Sequence, residues 1–87
     1  MNTREAYDAI RAAMGADPRT EIVDGFYDGE VFGNFWLTYV KDGERLSLVN
    51  DRGQLLLHDG PELDQFKELL LDDLHSADRK TLLDAIG

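Results

Sequence analysis

The side chains that most often do chemistry are scarce in this sequence. Its histidines are His58 and His75, its serines are Ser47 and Ser76, and it has no cysteine. A serine nucleophile needs a base within hydrogen-bond reach. Ser47 has no histidine near it in sequence, and Ser76, which follows His75, stands where a helix cap is expected. Neither histidine stands in a metal-ligand spacing, which for zinc wants two ligands one helical turn apart and more besides. The eight glycines are scattered as turn punctuation and form no phosphate-cradling loop. No segment places acids at alternate positions before a glycine, as a calcium loop requires. The chain is therefore expected to have no catalytic residue, metal ligand or cofactor, and to act by binding.

Carboxylates are the abundant group. Eighteen acids against nine bases give a net charge of −9. Residues 59–87 hold eight of the acids and three of the bases, so the last third carries −5 of that charge. Within it Asp64, Glu68 and Asp72 fall at i, i+4 and i+8, with Asp73 beside them and Lys67 as the one base nearby. On a helix they would form a stripe with steps of about 6 Å. Like charges one turn apart mildly destabilise a helix, so helix stability does not explain their stacking.

Two readings of the stripe stand. It is the solvated face opposite Leu63, Phe66, Leu70 and Leu74, or it presents carboxylates at a phosphate-like spacing to a groove lined by Lys and Arg. The net charge disfavours direct contact with nucleic acid or an anionic membrane. It attracts and steers a basic protein, although excess acid also serves solubility alone.

The elements that would position these groups follow from periodicity. Asn2 can cap a helix over 3–14, with Glu5 at capping-box spacing and Tyr7, Ile10 and Met14 as its apolar stripe. Gly15 is expected to end it in the left-handed conformation and Pro18 to prevent its resumption. Thr20 to Tyr27 reads as a strand broken by Gly25, and Val31 to Lys41 as a longer one. Asp42-Gly43 is a two-residue hairpin turn. Counting outward from it pairs Lys41 with Glu44, Tyr39 with Leu46 and Leu37 with Leu48. On the opposite face the pairs are Val40 with Arg45, Thr38 with Ser47 and Trp36 with Val49.

Asn50 to Gly53 suits a type I turn with a glycine bulge before a strand over 54–58. That turn would place Leu56 with Leu37 and Leu48, and Leu55 and Leu57 with Trp36 and Val49. Asp59-Gly60-Pro61-Glu62 reads as a helix start, the helix running to about His75, and Ser76 would cap a last helix over 77–86.

The expected architecture is one α+β domain over residues 1–87. It has an N-terminal helix, a three-stranded or four-stranded antiparallel meander and two C-terminal helices in two layers. Both faces of the meander carry apolar residues. Phe35, Leu37, Tyr39, Leu46, Leu48 and Leu56 lie on one. Phe32, Trp36, Val40, Val49, Leu55 and Leu57 lie on the other. Either helices cover both faces or the second is a partner surface with Trp36 at its centre. The absence of cysteine, of a signal-peptide stretch and of any apolar run longer than three points to the cytoplasm.

This element order, together with the acidity, resembles that of certain small phage anti-CRISPR proteins, acidic single domains that occupy the DNA-binding surface of an RNA-guided nuclease. The resemblance implies nucleic-acid mimicry, with Asp64, Glu68, Asp72 and Asp73 as target-contacting acids. This chain departs from those proteins in the amount of leucine and aromatic surface in its sheet. The leading expectation is a protein-binding inhibitor of a basic, nucleic-acid-binding partner such as a nuclease. The alternatives are an immunity protein that neutralises a nuclease toxin, and a homodimeric regulatory or structural subunit joined through the Trp36 face.

Overall fold

A computed structural model of the protein describes residues 1–59 and 68–87. Over these residues the order is α1 (Thr3–Ala16), β1 (Thr20–Asp28), β2 (Asn34–Lys41), β3 (Glu44–Asp51), β4 (Gln54–Asp59), β5 (Glu68–Leu71) and α2 (Arg79–Ile86). The strands form one antiparallel sheet in the order β1-β2-β3-β4-β5. The α+β class stands, but the meander has five strands and, among the described residues, a single helix follows it. No helix there is long and apolar enough to cross a membrane.

The expected helix from residue 59 to 75 is the main correction. Asp59 ends β4, and Glu68–Leu71 is a strand paired with β4, with Leu55 opposite Leu71 and Leu57 opposite Glu68. The start of that expected helix, including Asp64, lies outside the described residues. Leu70 and Leu74 fit a helical period, but Leu69-Leu70-Leu71 fits a strand equally well, and a short apolar run does not distinguish the two. The open edge of β4 decides: a strand placed there satisfies a row of backbone groups that a helix would leave to solvent.

The last helix is shorter than expected and begins later. Its cap is Asp78, whose side chain accepts from the Thr81 N–H at 2.7 Å, and not Ser76. Ser76 instead donates its hydroxyl to Asp73 at 2.6 Å.

The first helix starts as its sequence dictates, with Asn2 accepting from the Glu5 N–H at 2.8 Å. It continues through Gly15 to Ala16, so Gly15 is not its terminator. Asp17, in extended conformation, closes it by donating its N–H to the Met14 carbonyl, and Pro18 follows. Ala6, Tyr7, Ile10 and Met14 are buried against Phe35, Leu37, Tyr39, Leu48 and Leu55 of the sheet, and Leu74 and Leu82 complete the core. Each of the Leu, Ile, Met and Phe side chains among these contributes about 1.5–3 kcal/mol on leaving water. Gly25 lets α1 approach the sheet: a Cβ there would lie 2.7 Å from the Tyr7 hydroxyl and 2.9 Å from Leu37.

The register of β2 on β3 matches the sequence expectation pair for pair, from Lys41–Glu44 to Trp36–Val49. The next hairpin does not. Asp51 pairs with Gln54 across Arg52 and Gly53, both at positive φ (54° and 91°), repeating the conformation of Asp42 and Gly43 (52° and 81°). A two-residue turn replaces the expected bulged one, and a one-residue slip exchanges the faces of a strand. Leu57 therefore joins Leu48 on the helix-covered face, while Leu56 joins Val49 and Trp36.

Three aspartates organise the chain where it changes direction. Asp73 accepts from the Ser76 hydroxyl and from the Ser76 and His75 N–H groups, and these bonds, the hydroxyl foremost, hold its carboxyl below the ordinary range. Asp17 is lowered by the Arg19 N–H first, and Asp78 by the Thr81 N–H first. A carboxyl with a depressed folded pKa stabilises the fold above its unfolded value, and the contribution disappears as pH falls through the folded value. The thermal midpoint should therefore hold near neutrality and fall once pH drops below about 4. The Asp73→Asn variant, which keeps an acceptor but cannot titrate, should show a shallower fall. An identical acid profile in calorimetry would refute the assignment.

Candidate protein-docking face

Because side chains alternate along a strand, burying Phe35, Leu37 and Tyr39 under the helices turns Trp36, Thr38 and Val40 to the other side. Both helices contribute to the core built on the Leu37 side, and among the described residues no helix lies over the Trp36 side. Cross-strand pairing carries one apolar residue per strand across that second face. Phe26 lies opposite Trp36, Trp36 opposite Val49, Val49 opposite Leu56, and Leu56 opposite Leu69. The row is open at its two ends: Phe26 is 44% exposed and Leu69 49%, while the three between them are half-buried.

The Phe26 end has the most definite geometry. The Phe26 and Trp36 rings stack with centroids 4.5 Å apart and planes at 24°. Offset stacking of this kind fixes both side chains and is worth about 0.5–1.5 kcal/mol beyond area burial. Beside Phe26 the strand has a register shift between Ile22 and Asp24, and Val23, within it, is exposed. Asp24 opposite Thr38 and Asp28 opposite Asn34 flank Phe26 on the same face, so carboxylates frame the aromatic pair along the β1 edge. The β1–β2 turn adds exposed Val31 and Phe32, the latter with the Arg52 guanidinium 5.3 Å over its ring.

Next to the apolar row runs a polar one: Asp24, Thr38, Ser47 and His58, one from each of β1 to β4. The Thr38 and Ser47 hydroxyls lie 3.2 Å apart in a hydrogen bond, and Ser47 and His58 are buried. β3–β4 pairing thus brings a serine opposite a histidine that the linear spacing kept apart. Ser47, wholly buried and bonded to Thr38, is here part of a cross-strand ladder. His75 sits elsewhere, in the turn against Gly53. Among the described residues no three His, Asp or Glu side chains gather where a metal ion could be held.

Of the residues singled out from sequence, Trp36 lies at the heart of this face. Asp64 lies outside the described residues. Glu68 and Asp72 do not stack one helical turn apart, because Glu68–Leu71 is a strand and four extended residues span about 13 Å. Both are exposed. Asp73 is committed to the Ser76 and His75 bonds. Phe26 was missed, although its pairing with Trp36 follows once the β1–β2 turn is placed over 29–33. Comparison with protein-family models, with curated proteins and with solved structures finds no match to this chain.

Proposed function

We propose that this protein is an acidic binding protein, an inhibitor or adaptor that lays the Trp36 face of its sheet on a basic protein surface. The observation that carries the reading is the stacked Phe26–Trp36 pair, exposed at Phe26 and framed by Asp24 and Asp28. Aromatic anchors that enter a partner's pockets dominate binding energy, and acids around them select a partner rich in Lys and Arg. Such surfaces are characteristic of proteins that bind nucleic acid, so a nuclease or another nucleic-acid-binding protein is the proposed target class.

A homodimer through the same row is the second reading, favoured by its apolar continuity across five strands. It is the weaker of the two because it would bring two chains of net charge −9 together.

Salt separates the readings. Capture of a basic partner should slow markedly between 50 and 500 mM salt, because steering acts on the association rate. Self-association should persist or strengthen as repulsion is screened. Light scattering that shows a monomer at both salt concentrations, together with salt-sensitive capture, supports the proposal. A salt-stable dimer that captures nothing basic would replace it with the second reading.

A further inference from the structure

On the helix-covered side of the sheet, away from the Trp36 face, a cleft of about 230 Å³ opens where the C-terminal turns of α1 and α2 meet β2. Met14, Leu83 and Ile86 supply apolar walls, and Tyr39 and Lys41 line it from the sheet. An apolar cavity of about 150 Å³ is enough to hold a benzene ring, so this one has room for a single ring with a short head group.

Its polar groups are unequally committed. Asp17, Thr20 and the backbone of Gly87 also line the cleft, but the Asp17 carboxylate already accepts from the Arg19 N–H at 3.0 Å, the Arg19 Nε at 3.4 Å and the Thr20 hydroxyl at 3.1 Å. Tyr39 is only 6% exposed, yet among the described residues its hydroxyl makes no hydrogen bond. No fully buried side-chain oxygen or nitrogen lacks a partner there, so that hydroxyl is a part of the ring still open to solvent. Burial, aided by the Glu44 carboxylate, raises the Tyr39 pKa, and the hydroxyl keeps its proton as a donor at neutral pH. Lys41 forms no ion pair within 4.0 Å among the described residues, although Glu44 is its cross-strand partner.

Two donors without acceptors therefore stand at an apolar cleft. We propose that the cleft binds a small carboxylic acid with a one-ring or short-chain body. The body lies between Met14, Leu83 and Ile86, and the carboxylate accepts from the Tyr39 hydroxyl and the Lys41 ammonium. The overall negative charge of the chain weakens such a ligand's approach, so affinity in the millimolar range is expected. This inference is independent of the docking face.

Titration of the protein with benzoate, benzyl alcohol and benzylammonium, followed by NMR, tests it. Benzoate should shift the Met14, Leu83 and Ile86 methyl and Tyr39 ring signals and bind most tightly, with benzylammonium about tenfold weaker or silent. A hydrogen bond to a charged group justifies that ratio. Lys41→Gln should remove most of the advantage of benzoate over benzyl alcohol, and Ala13→Leu, which narrows the cleft, should weaken all three. Equal or tighter binding of benzylammonium, benzoate affinity unchanged in Lys41→Gln, or no shift with any probe at millimolar concentration would each overturn the proposal. The comparison of the three probes on the unmodified protein decides even if a variant fails to fold.

Discussion

Replacing Asn50 by alanine should cost about 3 kcal/mol of stability, among the largest losses available to any polar side chain here. Asn50 is 1% exposed and lies on the helix-covered side of the sheet, opposite Phe35 and Leu55. Its amide ties together two turns at one end of the sheet. Nδ2 donates to the Gly33 carbonyl at 3.0 Å, and Oδ1 accepts from the Gly53 N–H at 3.1 Å. Both glycines are buried and at positive φ, so their backbone groups have little freedom to find other partners. Alanine would leave a donor and an acceptor unpaired away from water, at about 1–3 kcal/mol each.

Set against a total of roughly 4–13 kcal/mol for a chain of this length, the loss should lower the thermal midpoint by about 12–24 °C. Asn34 provides the control. Its side chain also accepts a backbone N–H, from Arg52 at 2.9 Å, but at a solvent-exposed site, so Asn34→Ala should cost about 1 kcal/mol. Asn50→Asp should rescue little, since it keeps the acceptor, loses the donor and buries a charge. Urea midpoints that fall equally for the alanine variants at 50 and 34 would show that the bridge does not hold the two turns.

How far the fold could be read from sequence depended on whether local signals were unambiguous. Asp42-Gly43 admits one kind of hairpin, and counting from it gave the whole β2–β3 register. Asn50-Asp51-Arg52-Gly53 admitted two, and the longer turn was expected because Asn50 suits a turn's first position. Asn50 is instead the last inward-facing residue before a two-residue turn, its side chain used to brace Gly33 and Gly53. That choice is set by a neighbouring turn remote in sequence, and no local rule contains it. The same holds for Leu69-Leu70-Leu71. Its helical spacing with Leu74 is real, but β4 offers an edge for a strand, and only the assembled sheet reveals that edge.

The candidate face was legible to the same degree. Alternation along β2 placed Trp36 away from Leu37, and the β2–β3 register placed Val49 beside it. Its outer members were not legible, because they depend on β1 and β5. Phe26 reaches Trp36 only through a strand with an irregular register and a long turn, and Leu69 only through a strand expected to be a helix. The expected helical stacking of Glu68 and Asp72 is overturned for a related reason: a periodicity of four is a stripe on a helix alone, and Glu68–Leu71 is a strand, while Asp64 lies outside the described residues. What survives the change of element is the total charge, which does not depend on secondary structure.

Phe26→Ser and Trp36→Ala should each weaken capture of a basic partner at least thirtyfold, the effect of an anchor worth about 2 kcal/mol or more. The two should be far from additive. Phe26 holds the Trp36 ring in its stacked position, so removing either side chain removes much of what the other contributes. Stability should respond differently. Phe26 is almost half exposed and outside the buried core, so Phe26→Ser should move the thermal midpoint only slightly, which makes it the cleaner probe.

Charge reversal at the flanks tests the other half of the surface. Asp24→Lys with Asp28→Lys changes net charge by four units, from −9 to −5. It should slow association and reduce its salt dependence while leaving the dissociation rate nearly unchanged, as rim charges do. The aromatic variants should act in the opposite sense, on dissociation. If reversing Asp72 and Glu68 weakened capture while both aromatic variants bound as tightly as the unmodified protein, the contact would lie near the β5 edge and the Trp36 face would have to be given up. If the aromatic variants fail and the flanking reversals alter only the rate of encounter, the stacked pair is the anchor and the surrounding carboxylates select which surfaces it meets.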